Sequence, residues 1–153
     1  MTYAEDTKVA PERTLSEIQS ILKRYGATKY ALLDEGDSVA IAFEMKDRRC
    51  KMVLTLPKIE NYKWTETGRT RTVSVQRSEW EQACKSKYRS LLLVIKAKLE
   101  SIESGIETFD QAFMAHIMLP NGRTVGEQLI PQVKDAYISG GMPTLQLASG
   151  GAK

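Results

Sequence analysis

Histidine occurs once in this chain and cysteine twice, and no phosphate-binding glycine loop is present, so the usual raw materials of an enzyme site are scarce. His116 lies in Phe113-Met-Ala-His-Ile-Met, on an apolar helix flank, where an imidazole is expected to pack and not to shuttle protons. Neither GxSxG nor GxGxxG occurs, and no Cys/His pair carries a family signature. A protein that is not an enzyme and needs no cofactor is expected. Cys50 alternates with apolar strand residues and Cys84 falls on an apolar helix stripe; with no CxxC, two buried thiols are expected in place of a disulfide or a metal pair. Asp34, Glu35 and Asp37 cluster as oxygen ligands do for a hard cation. They also flank Gly36 in a hairpin turn, where Asp and Gly serve the backbone, and they lack calcium-loop spacing, so no metal is expected. No run approaches the ~20 apolar residues that span a bilayer. The opening Met1-Thr-Tyr-Ala-Glu-Asp has neither the cationic segment nor the apolar core of a secretory signal. An intracellular protein without a membrane partner is expected.

What the chain does contain is the pattern of one α+β domain over residues 1–141, followed by a Pro-, Ser-, Gly- and Ala-rich tail, 142–153, expected to be disordered. Four segments read as capping boxes: Thr14-x-x-Glu17, Ser78-x-x-Glu81, Thr108-x-x-Gln111 and Thr124-x-x-Glu127. They predict four helices. The first covers 15–25 and stops at Gly26. The second is a long central helix over 79–103, on which Trp80, Cys84, Tyr88, Leu91, Ile95, Leu99 and Ile102 step by three or four. Phe109, Phe113 and Ile117 mark the third. The fourth runs over 125–138, with a bend expected at Pro131 and an end at Gly140-Gly141. Between the first two helices the period changes to two, predicting an antiparallel meander of strands 30–33, 39–45 and 49–56, with a possible fourth strand at 70–75. One sheet face is apolar: Val39, Ile41, Phe43, Met45, Cys50, Met52 and Leu54. The other is small and cationic. A central helix of some seven turns is long for a monomer of this size, so part of its stripe is expected to be buried by a second copy, making a homo-oligomer.

The charge is unevenly placed. Residues 46–98 hold fourteen Lys or Arg against five Asp or Glu, while the whole chain is only +3. The same stretch carries Tyr62, Trp64, Trp80 and Tyr88, and cations interleaved with flat rings suit phosphates and unstacked bases. The candidate nucleic-acid-binding residues are Arg49 and Lys51 on the sheet, then Lys58, Tyr62, Lys63, Trp64, Arg69, Arg71 and Arg77 in and after a polar segment. Trp64 is expected to serve a ligand, and Trp80, at the head of the helical stripe, to serve the core. Against this stand two plainer readings: Trp64 covering the core from a loop, and Lys85, Arg89 and Lys96 forming only a solvated helix face.

Several segments resemble small uncharacterised proteins encoded by tailed bacteriophages and prophages: Tyr3-Ala-Glu-Asp-Thr with Pro11-Glu-Arg, Tyr25-Gly-Ala, Leu93-Val-Ile-Lys-Ala-Lys-Leu-Glu and Leu119-Pro-Asn-Gly-Arg-Thr-Val. The resemblance covers most of the chain and implies an origin, with a bacterial host cytoplasm as location; its landmarks carry no assigned roles. The order helix, meander, long helix also resembles that of single-strand-annealing proteins, a likeness at fold level alone. The expectation is a phage-encoded accessory protein of replication or recombination that binds single-stranded nucleic acid. The alternative is an anti-defence protein that binds a host immune protein or a signalling nucleotide.

Overall fold

The computed structural model describes residues 3–148. Helix α1, Pro11–Arg24, starts on Pro11, whose fixed φ suits the first helical position, after an extended Ala10. Thr14 therefore lies inside the first turn and not at the cap expected of it, and its hydroxyl is buried without a hydrogen-bond partner among the described residues. The helix ends in a Schellman arrangement: Gly26 (φ 103°) donates to Lys23 O and Ala27 to Leu22 O.

Strands β1 (Lys29–Asp34), β2 (Ser38–Met45) and β3 (Arg48–Thr55) form an antiparallel sheet in the order β1-β2-β3, the meander that the alternation predicts. Lys46 and Asp47 both take positive φ, 52° and 59°, making the two-residue turn whose twist matches a β-hairpin. In the first turn, between β1 and β2, Asp34 Oδ1 accepts from Gly36 N at 2.9 Å, so this carboxylate serves the backbone there.

Helix α2, Val73–Glu103, begins six residues before the predicted start at Glu79. Its cap is Thr72, whose hydroxyl accepts from Val75 N at 3.3 Å, and Ser78 is an ordinary helical residue. The fourth strand is absent for the same reason. Val73 and Val75 are exposed, so their β-branched side chains find no sheet neighbours to reward extended backbone. At 31 residues α2 is about 46 Å long. Its buried side chains begin only at Cys84, so the first turns project beyond the core.

Both remaining capping boxes form. Thr108 and Gln111 close α3, Phe109–Phe113, and Thr124 and Glu127 close the start of α4, Val125–Ser139. After α3 a 3-10 turn, Met114–His116, replaces the expected last helical turn, and Ile117 becomes extended. The physical reason is an open sheet edge: Met118 N donates to Arg49 O at 2.7 Å and Ile117 bridges Cys50. Within α4, Pro131 has no N–H to give Glu127 O, and Arg123 Nη2 donates to that carbonyl at 3.2 Å instead. Gly126, in the first turn of α4, allows a close approach: a Cβ there would lie 2.7 Å from Ala115 O.

The core gathers Ile18 and Leu22 of α1, Ile41, Phe43 and Met45 of β2, Cys50 and Met52 of β3, Leu91, Leu92, Ile95 and Leu99 of α2, and Phe109, Phe113 and Ile117. Phe113 meets Phe43 edge-on with centroids 5.6 Å apart and stacks on Phe109 at 5.0 Å. Leu92 and Ile95 are fully buried by their own chain, so the long stripe needs no second copy to cover it. Residues 142–148 carry neither helix nor strand yet are held to α4: Gln146 N donates to Gln132 Oε1 at 2.9 Å, and Ala148 N to Gln128 Oε1 at 3.1 Å. The rest of the tail expected to be disordered, 149–153, lies outside the described residues.

Candidate nucleic-acid interface

The basic segment folds as a small appendage on the first turns of α2. Its entry is fixed by Trp80, whose indole N–H donates to Pro57 O at 2.7 Å. A 3-10 turn, Ile59–Tyr62, follows, and Gln76 Nε2 holds its Ile59 O at 2.9 Å. Residues 63–71 then form a miniature hairpin. Arg71 N donates to Lys63 O at 2.9 Å, Trp64 bridges Thr70, and Thr65 N donates to Arg69 O at 2.8 Å. Gly68, at φ 78°, supplies the left-handed residue that the turn requires.

Within that frame the predicted residues divide. Arg71 is half-buried, and its Nη1 donates to the carbonyls of both Tyr62 and Trp64, clipping the hairpin to the 3-10 turn. Tyr62 is also half-buried; burial raises its hydroxyl pKa, with smaller contributions from Cys84 and Glu79, so its ring sits against α2. Trp64 is 54% exposed, with Lys63 Nζ 5.6 Å from its ring centroid, a cation–π pair. Lys58, Lys63, Arg69 and Arg77 are exposed and have no carboxylate partner among the described residues. Glu60, Glu66 and Glu79 lie among them, so the surface is positive in patches.

Arg49 and Lys51 do not join this group. Their side chains lie on the sheet face opposite α2, and Arg49 is about 20 Å along β3 from Thr55 at ~3.4 Å per residue. Arg49 stands beside Glu44, whose carboxyl is held below its ordinary pKa first by the hydrogen bond from Lys29 and less by Arg49. Lys51 lines a groove of about 430 Å³ with Val53, His116, Gly126 and Ile130. His116 hydrogen-bonds the Lys51 backbone, yet burial, and then the charge of Lys98, lower its pKa. Sequence patterning carried no sign of this contact, because it arises from the chain turning back onto β3 at Ile117.

Nucleophilic chemistry finds little support in the thiols. Cys50 and Cys84 are both buried and free. Burial, then Asp110, push Cys50 up to about 12, and burial, then Glu81, raise Cys84, so neither is a thiolate at neutral pH. Among the described residues no three His, Cys, Asp or Glu side chains gather as a metal site, and no helix is long and apolar enough to cross a membrane. Comparison with protein-family models, curated proteins and solved structures finds no match to this chain.

Proposed function

We propose that the hairpin of residues 63–71, with the first turns of α2, binds single-stranded nucleic acid. On this reading the protein is a non-enzymatic accessory factor of phage replication or recombination, acting in the bacterial host cytoplasm. The observation that carries the reading is Trp64: an indole more than half exposed on a hairpin closed by its own hydrogen bonds. Lys63 and Arg69 share that hairpin, and Lys58 and Arg77 sit on the segments it joins. The aromatic offers a stacking face, and the cations, none of which has a carboxylate partner among the described residues, offer counterion release. A signalling nucleotide fits less well, since the cavity of about 500 Å³ beside Trp80 sets Asp37 and Glu60 against Lys58 alone.

Fluorescence anisotropy with labelled DNA and RNA oligonucleotides tests the proposal. Four phosphate contacts at the single-strand slope of about −0.7 each make affinity fall about 50-fold for a roughly fourfold rise in salt. Trp64→Ala is expected to weaken binding by about 1–3 kcal/mol, the range of a lost base stack. Absence of binding to both oligonucleotides at low salt would overturn the reading and leave a host protein as the partner to seek.

A further inference from the structure

We propose that two copies of this chain pair through their β1 strands, antiparallel and edge to edge, to make one continuous six-stranded sheet. Among the described residues β1 is the free edge of the sheet: it pairs there with β2 alone, and all its residues except Tyr30 are exposed. Leu32 is 43% and Leu33 49% exposed, so the strand carries apolar side chains on both faces with no charge or proline in its middle to block pairing. Such an edge is a template for another strand.

The direction of the main-chain groups fixes what fits. Glu35 N donates to Ser38 O at 2.9 Å, in register with the pairs Leu33 to Ala40, Ala31 to Ala42 and Lys29 to Glu44. Groups alternate along an antiparallel strand, so odd-numbered residues spend their N–H and C=O on β2, while Tyr30, Leu32 and Asp34 direct theirs outward. None of those outward groups meets a backbone partner among the described residues. Antiparallel pairing about a two-fold axis perpendicular to the sheet keeps like faces together. It therefore sets even residues opposite even ones.

Charge and the number of main-chain bonds then select the register. With Leu32 on the axis, Tyr30 faces Asp34 of the second copy, and Lys29, which holds Glu44 of its own chain at 3.0 Å, also faces Glu35 of the second copy, twice by symmetry. On the outer face Ala31 meets Leu33 of the second copy, a small residue against a large one. About six main-chain hydrogen bonds result. The neighbouring register centred on Ala31 loses the Lys29 to Glu35 pairs and sets Lys29 against Leu33, and the one centred on Leu33 sets Lys29 against Asp37 but keeps only Leu32 and Asp34 in outward pairing, about four main-chain bonds in place of six. The second copy thus matches this edge in hydrogen-bond phase, in side-chain volume and in charge.

Sedimentation velocity and oxidative cross-linking test the pairing on the full chain. Wild type is expected to sediment as a concentration-dependent dimer. Leu32→Pro, which deletes the central outward N–H, is expected to be monomeric with its helical circular dichroism retained. Glu35→Lys, an exposed turn substitution that leaves the fold alone, is expected to weaken the dimer by about tenfold, because it opposes Lys29 at both ends. The double variant Ala31→Cys, Leu33→Cys is expected to form dimers linked by disulfides under oxidation, while Ala31→Cys alone does not; Cys50 and Cys84 are buried and take no part. A wild-type monomer at high concentration would overturn the proposal. So would a dimer that survives both Leu32→Pro and Glu35→Lys, or efficient cross-linking through Ala31→Cys alone. Should Leu32→Pro fail to fold, Glu35→Lys and the cysteine pair decide.

Discussion

Arg71 offers a sharp test of how the basic appendage is held. Sequence placed it among the phosphate contacts, whereas its guanidinium donates to the Tyr62 and Trp64 carbonyls. Hydrogen bonds from a charged donor contribute about 1.5–3 kcal/mol each when buried. Arg71 is only half-buried, so water competes for both carbonyls, and about 1.5 kcal/mol for the pair is the reasonable figure. Arg71→Lys keeps the charge but loses the planar fork that reaches two carbonyls at once. It should therefore open the hairpin about tenfold more often, since each 1.4 kcal/mol is a factor of ten. Hydrogen exchange reads this directly, because the amides of Thr65, Gly68, Arg69 and Arg71 are all bonded within the hairpin. Those amides should exchange about tenfold faster, while those of Leu92 and Ile95 in the core stay unchanged. If Arg71→Lys leaves hairpin exchange at the wild-type rate, the guanidinium is not the clip and its assignment to the ligand returns.

Trp80→Ala should lower stability by about 3 kcal/mol in urea unfolding, and Trp80→Phe by only about 1, since the latter loses little beyond the N–H bond to Pro57. Gly126→Ala should destabilise by about 1–3 kcal/mol in the same assay, because its Cβ meets the Ala115 carbonyl at 2.7 Å and backbone must yield. Leu92→Asp should abolish the cooperative thermal transition in circular dichroism, since a carboxylate at a fully buried position has no partner. For His116, burial and Lys98 set the folded pKa below the ordinary 6.5, so the unfolded chain takes up the proton first. Its contribution is complete above about pH 6.5 and is lost as pH falls through the folded value. Melting temperature should thus drop between about pH 7.5 and 5.5 more in wild type than in His116→Gln.

The sheet was legible because alternation has a strict period: Val39 to Met45 and Cys50 to Leu54 bury the face that their spacing predicts. Capping chemistry was legible only in part. Thr108 and Thr124 follow non-helical backbone and act as caps, whereas Thr14 and Ser78 carry the same spacing inside helices already begun by Pro11 and Thr72. The pattern says where a cap is possible, and an upstream start removes the need for one. At the candidate site, charge and aromatic content were visible, but not which way each side chain faces. Arg71 turns inward because hairpin closure aligns two carbonyls, a geometry that no local spacing encodes, and Arg49 and Lys51 part from the rest because β3 carries them to the far face.

The placement of the appendage has an evolutionary consequence. Before Cys84, α2 contributes no fully buried side chain, so the cationic hairpin rides on a stretch of helix whose foot alone is set in the core. Exchanges on that stretch fall mostly within ±0.5 kcal/mol, while trimming a single methylene from Ile95 already costs about 0.5–1.5. Selection for foldedness therefore bears on the last two thirds of α2 and far less on the first third. Apart from Arg71, Gln76 and Trp80, whose side-chain hydrogen bonds hold the appendage together, the exposed residues of 58–80 are free to change sign, size and shape quickly while the domain beneath stays the same.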